Sequence, residues 1–394
     1  MAAEFPFKQW LVSSQSPAVE ALLKAAAERD DVISFAGGLP ADDLFPTAAM
    51  RETLEQVMAD QGREALQYHW ATGYEPLRAQ ILAMMRARGI AASDEELLIT
   101  NGAQQALDLL ARLLLRTGDP IGVESPTYVA ALEVLRLQRP RMCPVARDAA
   151  GLDFDGLRRV LTDDRPNLVY LSPAGHNPTG GVLGQDARTE LVALAHRHNS
   201  FFIEDDAYGK IQYDGPCPPL RAEAGSGERV LHIGSFSKVL TPGLRVGWLI
   251  APKLLIDQLV LLKAAADLQT GSLSQIVLST YLVEHDLEAH LDRCLEHYRK
   301  RRDAMLAALE RELTGVLRWT RPSSGFSIWA ELADGRASES VLATALRHGV
   351  VFEPGGAFFP ADRPQQFLRL SFSNHTPAKI DEGIRRLATA LRDA

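Results

Sequence analysis

An α/β protein with a largely parallel central sheet is the fold class that this chain of 394 residues predicts, on three observations. Through its middle, short apolar runs bounded by turn residues alternate with helix-period patterns, as in a sheet flanked by helices. Hydrophobic residues make up 46% and charged residues 23%, the balance of an ordinary globular chain, which excludes disorder, collagen and coiled coil. No internal repeat and no Gly-, Ser- or Pro-rich linker interrupts the chain, so its lobes pack closely. At roughly 100–200 residues per domain the length gives two or three of them.

In chain order, residues 1–45 read as an N-terminal arm packing with the small domain. It carries one helical pattern over 18–28 and then the irregular run Gly37-Gly38-Leu39-Pro40. Residues 46–285 form the large domain. Strands are expected at 97–100, 121–124, 168–172, 201–204, 230–234 and 246–250, each a short apolar run. Ala106, Leu107, Leu110, Leu113 and Leu114 recur every three to four residues and line one face of a helix. Beyond about 285 the texture changes to a charged amphipathic helix over 290–313, short strands at 326–331 and 367–372, and a closing helix over 377–391. This stretch, 286–394, reads as a smaller α+β domain.

The net charge of −8 and a pI near 5.7 argue against a coat for nucleic acid or an anionic membrane, leaving small molecules as the expected partners. No stretch approaches the ~18 uncharged apolar residues of a spanning helix. The first residues, with Glu4 and Lys8, lack the cationic start, apolar middle and small-residue cleavage site of a signal peptide. Cys143, Cys217 and Cys294 are too widely spaced for a zinc half-site or a redox motif, which suits the cytoplasm. His196 and His198, two apart in a helix, face different sides, and no metal site is expected.

Four segments carry chemistry, each at the end of an expected strand. In Gly234-Ser235-Phe236-Ser237-Lys238, two hydroxyls flank a lysine that can lose its proton cheaply if buried and then attack a carbonyl. Ser235, Ser237 and Arg245 together can hold a phosphate dianion. Taken alone, the segment also fits a Ser-rich surface turn with a solvated lysine. In Asn101-Gly102-Ala103-Gln104, small residues at a helix start expose N–H groups to an anion, although many strand-to-helix turns need glycine only to turn. In the run 173–181, Asn177 can hydrogen-bond a phenolate-like oxygen, as can Tyr208 in the run 204–208. Asp205 can keep a ring nitrogen protonated. That combination suits pyridoxal phosphate, which works as an electron sink only while its pyridine nitrogen is cationic. Singly these two runs read as a turn and a strand end. Four of them at successive strand ends are where an open α/β sheet puts its ligand.

These segments, with Ser34-Phe35-Ala36-Gly37-Gly38-Leu39-Pro40, Gly73-Tyr74-Glu75-Pro76-Leu77-Arg78, Ser125-Pro126-Thr127-Tyr128, Asn177-Pro178-Thr179-Gly180 and Leu368-Arg369-Leu370-Ser371, stand in the order seen in one family. The chain resembles the fold type I pyridoxal-phosphate aminotransferases of class I/II, most closely the α-aminoadipate aminotransferase group, from about residue 34 to its end. The resemblance implies a mainly parallel seven-stranded sheet between helices, and a homodimer with shared active sites. It implies that Lys238 bonds to the cofactor and then moves the proton at the substrate Cα, that Asp205 pairs with the pyridine nitrogen, and that Asn177 and Tyr208 contact the 3′-oxygen. Gly102, Ala103, Gln104, Ser235, Ser237 and Arg245 would hold the phosphate, with Tyr68 reaching in from the partner subunit. Tyr128 would stack on the ring, and Arg369 would grip the substrate α-carboxylate with help from the Gly38 backbone. His176 would support the cofactor as a neighbour.

The implied reaction moves the amino group of an α-amino acid to a 2-oxo acid by a ping-pong mechanism. A lyase, decarboxylase or oxidase using the same cofactor is the alternative, since fold and cofactor do not separate these outcomes. A DNA-binding regulator with a fused domain of this type is disfavoured by the acidic balance and by a resemblance that starts near residue 34. One departure concerns the substrate. In the aminoadipate group an N-terminal helix of the form Ser-x-Ile-Arg-Glu-Leu-Leu supplies an arginine for the distal carboxylate. Aligning Leu22-Leu23-Lys24 with it places Glu20 at that arginine, after Val19. Either the arm differs or the alignment slips by a turn, or else the pocket takes a neutral or basic side chain over a second carboxylate.

Overall fold

A computed structural model describes residues 17–148 and 151–394. Residues 1–16 of the arm, with Glu4 and Lys8, lie outside the described residues. The large domain is built on strands β1 (Leu97–Thr100), β2 (Pro120–Ser125), β3 (Arg141–Asp148), β4 (Leu168–Leu171), β5 (Phe201–Asp205), β6 (Val230–Ser235) and β7 (Gly247–Ile250). Their lateral order is β1-β7-β6-β5-β4-β2-β3. The pairs from β6 across to β3 are parallel, while β7 runs antiparallel to both β6 and β1. The seven strands implied by the resemblance are present. An eighth of two residues, Gly151–Leu152, pairs with the end of β3 at the sheet edge.

The central strands are continuous apolar runs because both faces are covered. Successive residues alternate between two apolar layers. Tyr170, Ile203, Leu231 and Ile233 pack with Leu107 and Leu110 of the helix Gly102–Leu114. Val169, Leu171, Phe202 and Val230 pack with Leu191 and Leu194 of the helix Gln185–Arg197 on the other face. Fully burying side chains of this size contributes about 1.5–3 kcal/mol each. The edge strand β3, absent from the sequence expectation, alternates instead: Cys143, Val145 and Arg147 are buried between exposed neighbours.

The small domain carries an antiparallel sheet of β8 (Leu317–Trp319), β9 (Ser327–Leu332), β10 (Glu353–Pro354) and β11 (Phe367–Ser371), in the order β8-β9-β11-β10. The helices Leu287–Leu313, Ser338–Arg347 and Pro377–Asp393 complete it. Ile33–Ser34 pairs in parallel with Val350–Val351, and the helix Pro17–Ala27 packs on Ser338–Arg347. One apolar core runs from Val19 through Ile99, Phe236 and Trp248 to Phe326 and Leu391, so the two domains share buried surface. Among the described residues no helix is long and apolar enough to cross a membrane.

Candidate active site

A cavity of about 310 Å³ opens where the strand ends of the large domain meet the small domain and the arm. Its lining includes Gly38, Ala103, Gln104, Tyr128, Asn177, Asp205, Tyr208, Ser235, Ser237, Lys238, Arg245 and Arg369. Twelve residues expected from sequence are thus brought to one space. Four are not among the lining: Gly102, Tyr68, Glu20 and His176.

Lys238 follows β6, and its amine donates to the carbonyl of Gly38 at 2.9 Å. The amine lies 5.7 Å from the ring centre of Tyr208 and 6.0 Å from that of Phe326. Burial brings its pKa down to about 8, and the charges of Arg369 and Arg245 push the same way against Asp205. A lysine so placed supplies free amine near neutral pH. At the end of β5, Asp205 accepts from the Tyr170 hydroxyl at 2.7 Å and from the Ala207 N–H at 3.2 Å. Burial raises the Asp205 carboxyl, and these two donors pull it back. Its neighbour Asp206 turns away to pair with Arg88, beside the buried pair of Glu204 and His232.

The opposite wall is an anion cradle. Ser235 Oγ accepts from the Ser237 N–H at 3.1 Å and lies 3.0 Å from the Ser237 hydroxyl. Facing them is the N-terminal turn of the helix Gly102–Leu114, whose free N–H groups and dipole favour an anion. Gly102 is favoured there by its backbone conformation, and a side chain on it would also displace the end of Arg245. Its φ is +73°, and a Cβ on it would sit 2.8 Å from Nη2 of Arg245. Gly247 on β7 is equally constrained, because a Cβ would lie 2.8 Å from the nitrogen of Ala103. Asp267 pins the turn from outside, accepting from Gln105 Nε2 at 2.6 Å while the buried Lys263 donates to it at 2.9 Å.

At the mouth, Arg369 on β11 is buried at 5% exposure. It donates from Nη1 to Asn177 Oδ1 at 3.0 Å and from Nη2 to Glu353 Oε2 at 2.8 Å, and its Cζ stands 4.9 Å over the Phe358 ring. The contact commits the Asn177 oxygen to Arg369 and leaves its NH₂ group for a ligand acceptor. His176 is buried between Thr179 Oγ1 at 2.8 Å and the carbonyl of Pro126 at 3.1 Å, and burial holds it well below the usual histidine range. It lies outside the cavity lining, bracing the loop that carries Asn177.

Tyr68 is 73% exposed and Glu20 sits on the exposed face of its helix. Sequence reasoning missed Tyr170, Glu353, Leu39, Leu107, Ser172, Gly175, Ala207 and Pro242. Of these, Glu353 had a signal, a lone carboxylate inside the apolar run 350–359. Among the described residues no group of His, Cys, Asp or Glu is placed to hold a metal ion.

The residues present fit pyridoxal phosphate. The cavity offers a carboxylate at one end for a ring nitrogen, a cradle of hydroxyls and helix N–H groups kept open by a glycine for a phosphate, and a free amine between them. At its mouth the buried Nε of Arg369 has no partner among the described residues.

Residues 30–387 match the family model described as aminotransferase class I and II. The chain is 40% identical over 382 residues to the 2-aminoadipate transaminase of Thermus thermophilus, covering 96% of this chain and 94% of that one. It is 36% identical over 394 residues to aromatic-amino-acid aminotransferase 1 of Thermococcus litoralis, covering 98% and 94%. Among solved structures, it matches the α-aminoadipate aminotransferase LysN of Thermus thermophilus, complexed with N-(5′-phosphopyridoxyl)-L-leucine. That match has a TM-score of 0.90 and 38% identity, and covers 98% of this chain and 97% of that one.

Proposed function

This chain belongs to the class I and II aminotransferases, fold type I enzymes that work with pyridoxal phosphate, and from that premise we propose the task of each side chain, the class of substrate and the assembly. Bound in the cavity, the cofactor supplies an electron sink for the substrate Cα.

Lys238 would hold the cofactor through its amine and, as a free amine, would move the proton at the substrate Cα. Its low pKa suits both tasks. Asp205, steadied by Tyr170 and Ala207, holds the ring nitrogen protonated. Tyr208 and Asn177 donate to the 3′-oxygen, and Tyr128 covers the ring. Ser235, Ser237, Arg245 and the N–H groups of Ala103 and Gln104, set by Gly102, grip the phosphate. Arg369 takes the α-carboxylate beside Gly38, whose carbonyl meanwhile steadies the lysine amine. Two substrates pass through in turn, the amino acid leaving as a 2-oxo acid before a second oxo acid takes up the amine. The observation that carries the assignment is that one cavity gathers Lys238, Asp205, Arg245 and Arg369 from separate elements of both domains.

The amino donor has a neutral or basic side chain. The cations in the described lining are Lys238, Arg245 and Arg369, each already committed, so a second carboxylate would be desolvated without a partner. Glu20 lies outside that lining, and the reading rests on the lining alone. The two relatives are named for different donors and do not decide between them.

The assembly is a homodimer. Tyr68 and Trp70, 73% and 81% exposed, project from a loop tied down by the Ser272 hydroxyl on the carbonyl of Gln67 at 2.6 Å and by Gln269 on the N–H of His69. A braced loop presenting aromatic rings outward suits a partner's phosphate site. Three free, buried cysteines suit the cytoplasm.

A stopped-flow absorbance scan of the holoenzyme against single amino acids, with no acceptor, tests the assignment. It is expected to show one conversion of the visible band per site with one equivalent of 2-oxo acid, fastest for neutral or basic donors. Fastest conversion by glutamate or 2-aminoadipate would refute the donor assignment.

A further inference from the structure

Arg369 does not wait for substrate alone. Glu353 and Arg369 are register partners on the adjacent antiparallel strands β10 and β11, so the strand pairing itself delivers their side chains to one face. Glu353 is 9% exposed, and its Oε2 accepts from Arg369 Nη2 at 2.8 Å. The same oxygen accepts from the N–H of Gly37 at 3.0 Å. Gly37 has a φ of +73° and precedes Gly38, whose carbonyl holds the amine of Lys238. One carboxylate therefore ties the arginine of the substrate site to the strap over the catalytic lysine.

We propose that Glu353 is a positioning residue, whose carboxylate keeps Arg369 in a formally neutral pair and thereby sets how tightly the site grips a substrate carboxylate. The proposal rests on Arg369 being the carboxylate site. A guanidinium has five N–H donors in a rigid fork. With Nη2 given to Glu353 and Nη1 to Asn177, its plane is fixed, while the N–H at Nε has no partner among the described residues. An arriving carboxylate gains the remaining donors but also meets the field of Glu353, which offsets part of the attraction in this low-dielectric space. The grip is then firm enough to orient and loose enough to release a product acid. The charge of Arg369 also reaches Lys238, whose amine it disfavours in the protonated form, and Glu353 moderates that field.

The test uses holoenzyme with 3-phenylpropanoate, a carboxylate without an amine to react. Glu353→Gln and Glu353→Met both remove the charge, and the pair guards against one of them failing to fold. Glu353→Asp keeps the charge. The chargeless variants are expected to bind the probe about tenfold more tightly. The midpoint of the pH titration of their visible band is expected to fall by about one unit, with Glu353→Asp close to wild type in both. Had Glu353 only a structural part, losing it would loosen Arg369 and weaken binding, the opposite sign. Weaker or unchanged binding in the chargeless variants, or an unmoved midpoint, overturns the proposal. Arg369→Leu separates the underlying assignment: if it binds the probe as wild type does, Arg369 is not the carboxylate site.

Discussion

Removing the cofactor exposes a quantity that the fold sets by itself, the proton affinity of Lys238. The amine has a pKa of about 8 against 10.5 for an unperturbed lysine. At pH 7.5 about a quarter of the chains then carry a free amine there, against roughly one in a thousand for an ordinary lysine. The same gap appears in stability. Between about pH 8 and 10.5 the unfolded chain binds a proton on this group that the folded chain has released, so folding gains stability as pH rises through that window. Below pH 8 the full cost of charging a buried amine applies, about 3 kcal/mol for a shift of this size. Cofactor-free Lys238→Met is therefore expected to exceed wild type in stability most at pH 7, with the difference shrinking toward pH 10.5. Any packing effect of methionine is common to both ends and cancels. Urea unfolding of both proteins at several pH values reads the difference. Competitive acetylation followed by mass spectrometry gives the pKa directly, with exposed Lys253, held up by its hydrogen bond and ion pair with Asp257, as an internal reference. A Lys238 midpoint at or above that of Lys253, or a stability difference flat from pH 7 to 10, would refute the reasoning.

Asp205→Asn removes the charge proposed to hold the ring nitrogen protonated, and kcat is expected to fall about 100-fold or more; a loss under tenfold would detach Asp205 from that task. Gly234→Ala places a methyl 2.2 Å from Cε2 of Trp248, a buried indole packed on Phe236 at 5.1 Å. It should cost about 3 kcal/mol or more in urea unfolding, and a change under about 0.5 kcal/mol would contradict the packing. Tyr68→Ala and Lys238→Ala should each be nearly inactive, yet their co-expression should restore about one quarter of wild-type activity, because half of the dimers are hybrids with one intact site. No restored activity would mean that Tyr68 acts within its own chain or not at all.

Much of this architecture is legible in the residues because buried parallel strands are apolar on both sides. β1, β2, β4, β5, β6 and β7 each fall within a residue of the apolar runs that mark them. β3 escapes that reading because it is an edge strand. Its inward positions include Arg147, which is buried against Glu124, and Pro144 interrupts it, so the period of two is broken by a charge. The site residues at strand ends are readable for a related reason: Asp205 closes β5, and Lys238 and Asn177 sit in the turns after their strands, where residue type is tied to task. Tyr170 is not, since it acts only through its contact with Asp205 on the next strand, and Glu353 shows locally only as a lone carboxylate in an apolar run, its partner Arg369 being supplied by a strand pairing.

The sheet order also sets a timetable. β1 pairs in register with β7, Leu97 opposite Ile250, so about 150 residues must be made after the first strand before its neighbour exists. At 5–20 residues per second on a ribosome, that is a delay of roughly 7–30 s. Throughout it an apolar strand, Leu97-Leu98-Ile99-Thr100, stands without the partner that buries it, an edge open to pairing with other chains. The phosphate cradle shares the delay, because Gly247 of β7 backs the first turn of its helix. Arg369 comes later still. Cofactor loading is thus expected to follow completion of the polypeptide, and production of this enzyme should depend more on chaperone capacity than on cofactor supply.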